Sequence, residues 1–407
     1  MSGEEAALRQ AHPTDHGDAV PRRARQINMS GEEAALRDAS VGASVNAVPR
    51  RARQINTSGE ETALRDARVG AAPSPSPSVV VEGLSLRIPT MSRGRPALVH
   101  AASEVDLSLA PGRLHALVGE SGAGKSVLCS ALVGLLPAGT RVRGRVQVAG
   151  VDVTRDVARP RARVWERLRG QVVGLVSQSA ATSFTPTRTI GSQLREVAAL
   201  TTGNAAPASG ASPRARRTPT PSTRQGATGP TPLTGPTEPI DVVELLASVG
   251  LGADVLDAYP HELSGGMAAR AGVAAALTGR PSILLADEPT AGLDPELTAT
   301  MLRLLRAQAD AGVTVLLVTH EVGALLDSGV ADDVSVVYAG RIVENGPAAR
   351  VLGVPQHAYT EALLAALPRN GLHSVPGSPP SLTDLAPGTS FADRLALTGG
   401  PVMGVTR

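Results

Sequence analysis

Residues Gly119 to Ser126 read GESGAGKS. Three glycines at this spacing, Gly119, Gly122 and Gly124, let consecutive backbone N–H groups, including those of Glu120, Ser121 and Ala123, turn inward around phosphate oxygens. The apolar run Leu114–Val118 precedes the loop, and a helical pattern over Ser126–Leu136, stopped by Pro137, follows it. The N-terminus of that helix adds partial positive charge. Lys125 can reach the β- and γ-phosphates as a compact cation, and the Ser126 hydroxyl suits Mg2+. The chemistry these residues support is binding and hydrolysis of Mg-ATP.

Lys125 is the single lysine of the chain; the other basic side chains in the Lys+Arg total of 39 are arginines. A compact ammonium in this one slot marks a place where a planar guanidinium would not serve. A second acidic constellation, ILLADEPT at 283–290, ends an apolar strand in two carboxylates. Asp287 is placed to hold Mg2+, and Glu288 to orient or deprotonate an attacking water. His320 follows the strand Val313–Thr319, at the end of a parallel sheet where ligands gather. LSGGM at 263–267 opens a helix expected over Ala268–Leu277. Ser264, Gly265 and Gly266 offer a second anion reader at a helix N-terminus. Because one chain already cradles one γ-phosphate at 119–126, this second reader is best explained by service to another chain's ATP.

Strands are expected at 79–88, 105–110, 114–118, 145–153, 172–177, 282–286, 313–319 and 334–338, with helices between them. Alternation of the two predicts a mainly parallel sheet. A helix carrying Leu297, Met301, Leu304 and Leu305 on one face is expected after the acidic strand. The chain is 42% apolar, but aromatics make up only 1%, so its core must be aliphatic. Its formal charge is only +2, and its Arg clusters lie in low-complexity sequence without interleaved aromatics, which argues against a nucleic-acid partner. Cys129 stands alone, so no internal disulfide forms. Apolar runs are too short for a membrane span. The phrases MSGEEAALR and VPRRARQIN recur with a period of 28 residues before Val79. Residues 1–78 are expected to be a disordered extension, 201–239 a low-complexity insertion, and 369–407 a flexible tail.

In this order the elements resemble the ATP-binding cassette (ABC) ATPases: Walker A at 119–126, Gln178 of the Q-loop, the signature LSGG at 263–266, Walker B at 283–288, the D-loop 291–294 and the switch His320. The phrases TSFTPTRTIGSQL (182–194), DAYPHELSGGM (257–267), YAGRIVENG (338–346) and HAYTEALLAALP (357–368) are similar to those of the peptide/nickel importer ATPases. The resemblance covers 79–368. It implies an α/β P-loop NTPase core of RecA-like type, an N-terminal antiparallel β portion and an inserted helical subdomain at about 179–279. It implies catalytic roles for Glu288, His320 and Gln178, metal contacts from Ser126, Gln178 and Asp287, and a nucleotide contact from Asp294. The implied partners are a second ABC ATPase subunit, a transmembrane permease and an extracytoplasmic solute-binding protein, with this chain peripheral on the cytoplasmic face of the membrane.

The sequence departs from the family pattern at several points. Relatives carry an adenine-stacking aromatic before Walker A, but residues 79–118 contain no Phe, Tyr or Trp, leaving aliphatic groups or His100 for the base. Ala268-Ala269 replaces a polar pair after LSGGM, and Phe184 is either part of a permease-facing groove or a core filler. A soluble, non-transport cassette ATPase and a weakly hydrolytic subunit paired with a more active one stand as alternatives to a transport motor.

Overall fold

The computed structural model describes residues 76–178, 183–201, 240–371, 373–386 and 388–397. The repeat region 1–75 and the insertion 202–239 lie outside the described residues. Val- and Leu-rich runs form two sheets. The first is antiparallel and built from β1 (Val79–Ser92), β2 (Arg95–Leu109), β4 (Arg141–Val148) and β5 (Val151–Asp152), in the order β2-β1-β4-β5. The second holds β3 (Leu114–Val118), β6 (Val173–Val176), β7 (Ile283–Asp287), β8 (Thr314–Thr319), β9 (Asp333–Tyr338) and β10 (Arg341–Pro347). Its order is β10-β9-β3-β8-β7-β6, parallel except for the β9–β10 hairpin.

Strands β3 and β8 are buried at every residue, as parallel strands covered on both faces should be. β8 lies between β3 and β7, with Val118 opposite Thr319 and Asp287 opposite Val318. The glycine loop, the two carboxylates and His320 therefore leave the sheet together, at the C-terminal ends of β3, β7 and β8. The β1–β2 hairpin is longer than the sequence pattern suggests. Its outer half, Ser92 back to Pro89 against Arg95 to Leu98, is mostly exposed or half-exposed and carries two prolines, so apolar alternation fades there while backbone pairing continues.

The helices are α1 (Lys125–Leu132), α2 (Arg163–Leu168), α3 (Ile190–Thr201), α4 (Val242–Ser248), α5 (Gly265–Leu277), α6 (Pro295–Asp310), α7 (Val322–Ser328), α8 (Ala348–Gly353), α9 (Ala358–Ala365) and α10 (Phe391–Leu397). α1 stops short of the predicted Leu136. Gly134 adopts a positive φ of +63°, and a side chain there would collide with the Trp165 ring. Arg169 then takes up the freed carbonyls of Val133 and Gly134, donating to each at 2.8 Å. α6 buries Thr298, Met301, Leu302, Leu305 and Ala309, while Leu297 and Leu304 are half-buried. Phe184 is buried in the core of the helical region, which decides between its two readings: it fills the core. Ala268 and Ala269 are buried on α5, so the signature helix packs closely where a polar pair would need solvent.

The expectation of a flexible tail from 369 is corrected through residue 397. Phe391 joins the main core, and Arg394 is 5% exposed and ion-paired. Leu382 and Asp384 exchange backbone bonds with His100 and Leu98 of β2. Proline and glycine make this segment irregular, but its few apolar and charged side chains are enough to fasten it.

His115 sits on β3 with its ring Nε2 2.8 Å from the Ser335 hydroxyl, and burial pushes its pKa down to about 4. The unfolded chain, with an ordinary His pKa of about 6.5, binds a proton between these values that the folded chain does not. Stability therefore falls as pH drops from about 6.5 towards 4 and this contribution levels off below. Urea titrations at pH 7 and 4.5 should show wild type losing roughly 2 kcal/mol more than His115→Gln between the two conditions.

Candidate active site

The phosphate loop is wedged between the two sheets by close backbone contacts. A Cβ on Gly119 would stand 2.2 Å from the Val337 carbonyl oxygen of β9, and one on Gly124, at φ +103°, 2.2 Å from the Ala101 carbonyl oxygen of β2. Only glycine fits either position. The Lys125 side chain folds back along the loop, its Nζ donating to the carbonyls of Gly119 at 2.8 Å and Glu120 at 2.9 Å. Burial lowers its pKa, opposed by the nearby carboxylates of Glu288, Asp287 and Glu120.

Ser126 Oγ donates to Asp287 Oδ1 at 2.9 Å. Burial raises the Asp287 pKa, and the Ser126 bond partly offsets it. A hydroxyl and a carboxylate placed together beside a phosphate loop make a hard oxygen pair that fits Mg2+. Glu288 follows at φ +48°, a left-handed conformation costly for a side chain with a Cβ. Its N–H is fixed to the Val318 carbonyl of β8. The carboxylate is held from two sides: Gln178 Nε2 donates to Oε2 at 2.8 Å, and His320 Nδ1 lies 3.3 Å from Oε1. Gln178, Glu288 and His320, read separately from the sequence, thus meet at one carboxylate.

Gly122, Lys125, Ser126, Gln178 and Glu288 all line a cavity of about 460 Å3. Ser264, Gly265, Gly266 and Asp294 do not. Ser264 caps α5, accepting from Met267 N at 3.2 Å, and Asp294 caps α6 by accepting from Glu296 and Leu297. Gly266 packs against Leu297 and Gly265 faces Leu293, so the start of α5 and the turn before α6 form one unit apart from the cavity. His100 is also absent from its lining, since it points from the opposite face of β2; Val99 and Ala101 line it instead. The expectation that His100 could support the base is corrected on that ground.

The far wall comes from a part of the chain that motif reading missed. Pro379, Pro380, Ser381 and Leu382 face the phosphate loop across the cavity. Tyr359 Oη accepts from the Glu120 N–H at 2.9 Å, and Arg394 grips both Glu120 carboxylate oxygens at 2.6 and 3.1 Å. Tyr338, Tyr359 and Phe391 pack together beneath in tilted and edge-to-face contacts, with ring centroids 4.6 to 5.6 Å apart. Three of six aromatics in the whole chain gather here; that scarcity was the one available signal.

A parallel sheet with a phosphate loop, a Ser126–Asp287 pair and a gripped Glu288 at the C-terminal ends of its strands defines a P-loop ATPase of the cassette type. Residues 102–291 match the ABC transporter family, and residues 343–397 match the family described as the oligopeptide/dipeptide transporter C-terminal region. A Brucella ovis protein named for peptide import ATP binding is 36% identical over 79% of this chain and 90% of its own length. The oligopeptide transport ATP-binding protein AmiE of Streptococcus pneumoniae is 36% identical over 74% of this chain and 78% of its own. An Escherichia coli protein named for D,D-dipeptide transport ATP binding, DdpD, is 35% identical over 74% and 84%. The chain belongs to the ABC transporter ATPases, in the branch that carries the oligopeptide/dipeptide C-terminal region.

The Arg394–Glu120 pair is largely buried, so its loss should cost about 3 kcal/mol. Arg394→Met should lower stability by that amount in urea, and amide exchange in Phe391–Leu397 should speed up before that of β3.

Proposed function

We propose that this chain is the ATP-hydrolysing motor of a peptide importer, working on the cytoplasmic face of the membrane with a permease and an external solute-binding protein. Membership of the branch with the oligopeptide/dipeptide C-terminal region, at 343–397, supports this cargo class. Among the described residues no helix is long and apolar enough to cross a membrane, and in this reading the permease supplies the conduit.

In this reading the loop N–H groups and Lys125 bind the β- and γ-phosphates, with Lys125 exchanging its loop carbonyls for phosphate oxygens. Val99, Pro379, Pro380 and Leu382 form the apolar wall for the base in place of an aromatic. Ser126, Asp287 and Gln178 would hold Mg2+, which when bound neutralises charge on the phosphates. Glu288 orients the attacking water and accepts its proton, while Gln178 and His320 hold its carboxylate in place. Ser264, Gly265, Gly266 and Asp294 act on the γ-phosphate bound by a second subunit. The observation that carries this is their position at the starts of α5 and α6, where Ser264 and Asp294 cap the helices and Gly265 and Gly266 face Leu293 and Leu297, away from the cavity lined by Gly122, Lys125, Ser126, Gln178 and Glu288. Each site is then complete only when two chains meet head to tail, and ATP favours that closed pair.

Shared sites make a complementation test possible. Lys125→Ala and Ser264→Arg should each abolish hydrolysis. Mixed in equal amounts, they should recover about a quarter of wild-type turnover, because half the pairs are mixed and each mixed pair has one intact site. No recovery in verified mixed dimers would overturn the shared-site assignment. For the transport role, affinity purification from the native host should bring down a polytopic membrane protein, and peptide-loaded binding protein should stimulate the ATPase of that complex. Recovery with ribosomes alone would favour a non-transport role.

A further inference from the structure

The antiparallel sheet carries a second cavity, of about 440 Å3, on the face of β2 turned away from the phosphate loop. Register places Arg87 of β1 opposite both His100 of β2 and Arg141 of β4, with Ser85 opposite Arg143 one row along. Arg341 of β10 enters from the other sheet. Like charges set directly opposite one another destabilise a sheet. The crowding is real: burial, then Arg341 and Arg143, push the Arg87 pKa down. Glu104 compensates Arg341 through a 2.8 Å ion pair, but Arg141 and Arg143 have no ion-pair partner among the described residues. Arg87 is anchored through Nη1 to the carbonyls of Leu86 and Ala102, which fixes its charge at the cavity. Ser103 is 95% buried (5% exposed) and lines the same cavity.

Three cations in excess of the one paired acid, in a cavity that Ser85, Ser103 and Thr389 also line, call for a multiply charged anion with several acceptor oxygens. We propose that this cavity is a binding site for a soluble small molecule carrying two or more phosphoryl groups, separate from the nucleotide site. Its recessed form favours a soluble ligand over a lipid headgroup, since Leu385, Ala386, Gly388 and Thr389 wall it. The same C-terminal segment walls the nucleotide cavity three residues earlier, at Leu382. Occupancy therefore acts on a segment shared by both sites.

Inorganic tripolyphosphate is the probe. Titration calorimetry on the full chain should find two sites in wild type, and one in Lys125→Ala, where the phosphate loop is disabled. Arg141→Ala/Arg143→Ala removes two exposed side chains and should leave ATP binding intact. It should weaken the site retained in Lys125→Ala about 100-fold, at roughly tenfold per charged contact, and reduce wild type to one site. Vesicles of phosphatidylcholine with phosphatidylglycerol should not compete. A Lys125→Ala protein that is folded but binds no tripolyphosphate would overturn the proposal, as would binding indifferent to Arg141 and Arg143, or arginine-dependent binding to the vesicles alone. The ATPase assignment is untouched by any of these results, because it rests on the other cavity.

Discussion

Two backbone contacts set the geometry of everything else. The glycine loop at 119–126 passes so close to the Val337 and Ala101 carbonyls that Gly119 and Gly124 have no room for a Cβ. One contact belongs to the parallel sheet and the other to the antiparallel sheet. The loop is therefore a seam between the two, and its N–H groups point where they do because both sheets press on it. Lys125 is buried by the same contacts, which is why its ammonium is held by loop carbonyls and its charge is made costly by desolvation.

Strand order turns that seam into a reactive site. β8 separates β3 from β7, so the loop after β3 and the carboxylates after β7 are spaced by one strand, with His320 emerging between them. Glu288 accepts a left-handed backbone to reach this position, a local cost that the Gln178 bond and the Val318 carbonyl help to sustain. On the outer side, the C-terminal segment completes the cavity by adding backbone bonds to β2 and an ion pair to Glu120. That pair ties the first acidic residue of the loop to the last helix described, 274 residues away in sequence.

The aliphatic composition explains how so little aromatic surface suffices. Most of the core is Leu, Val and Ala packed between sheet and helices. Tyr338, Tyr359 and Phe391 are spent at a single place, under the loop and the C-terminal segment. Trp165 does a comparable job at Gly134, where it ends α1 and turns the chain away.

The parts of this protein legible in sequence were those with local physical signatures. Glycine spacing, a solitary lysine, an apolar run ending in Asp287-Glu288 and a capped signature helix each announce themselves within about ten residues, because backbone freedom and charge placement are local requirements. The parallel sheet followed from strand and helix alternation in the same way. Other features depended on which surfaces meet. The turn of His100 away from the cavity at the glycine loop, the burial of Phe184 and the path of the described residues at 373–386 and 388–397 could not be read from composition. Nor could the arginine cavity, since register brings Arg87 of β1 beside Arg141 and Arg143 of β4 while Arg341 comes in from β10 of the other sheet. Long-range pairing of irregular, proline-rich sequence leaves no periodic trace, so only the tertiary structure decided where that segment lies and which two cavities it closes.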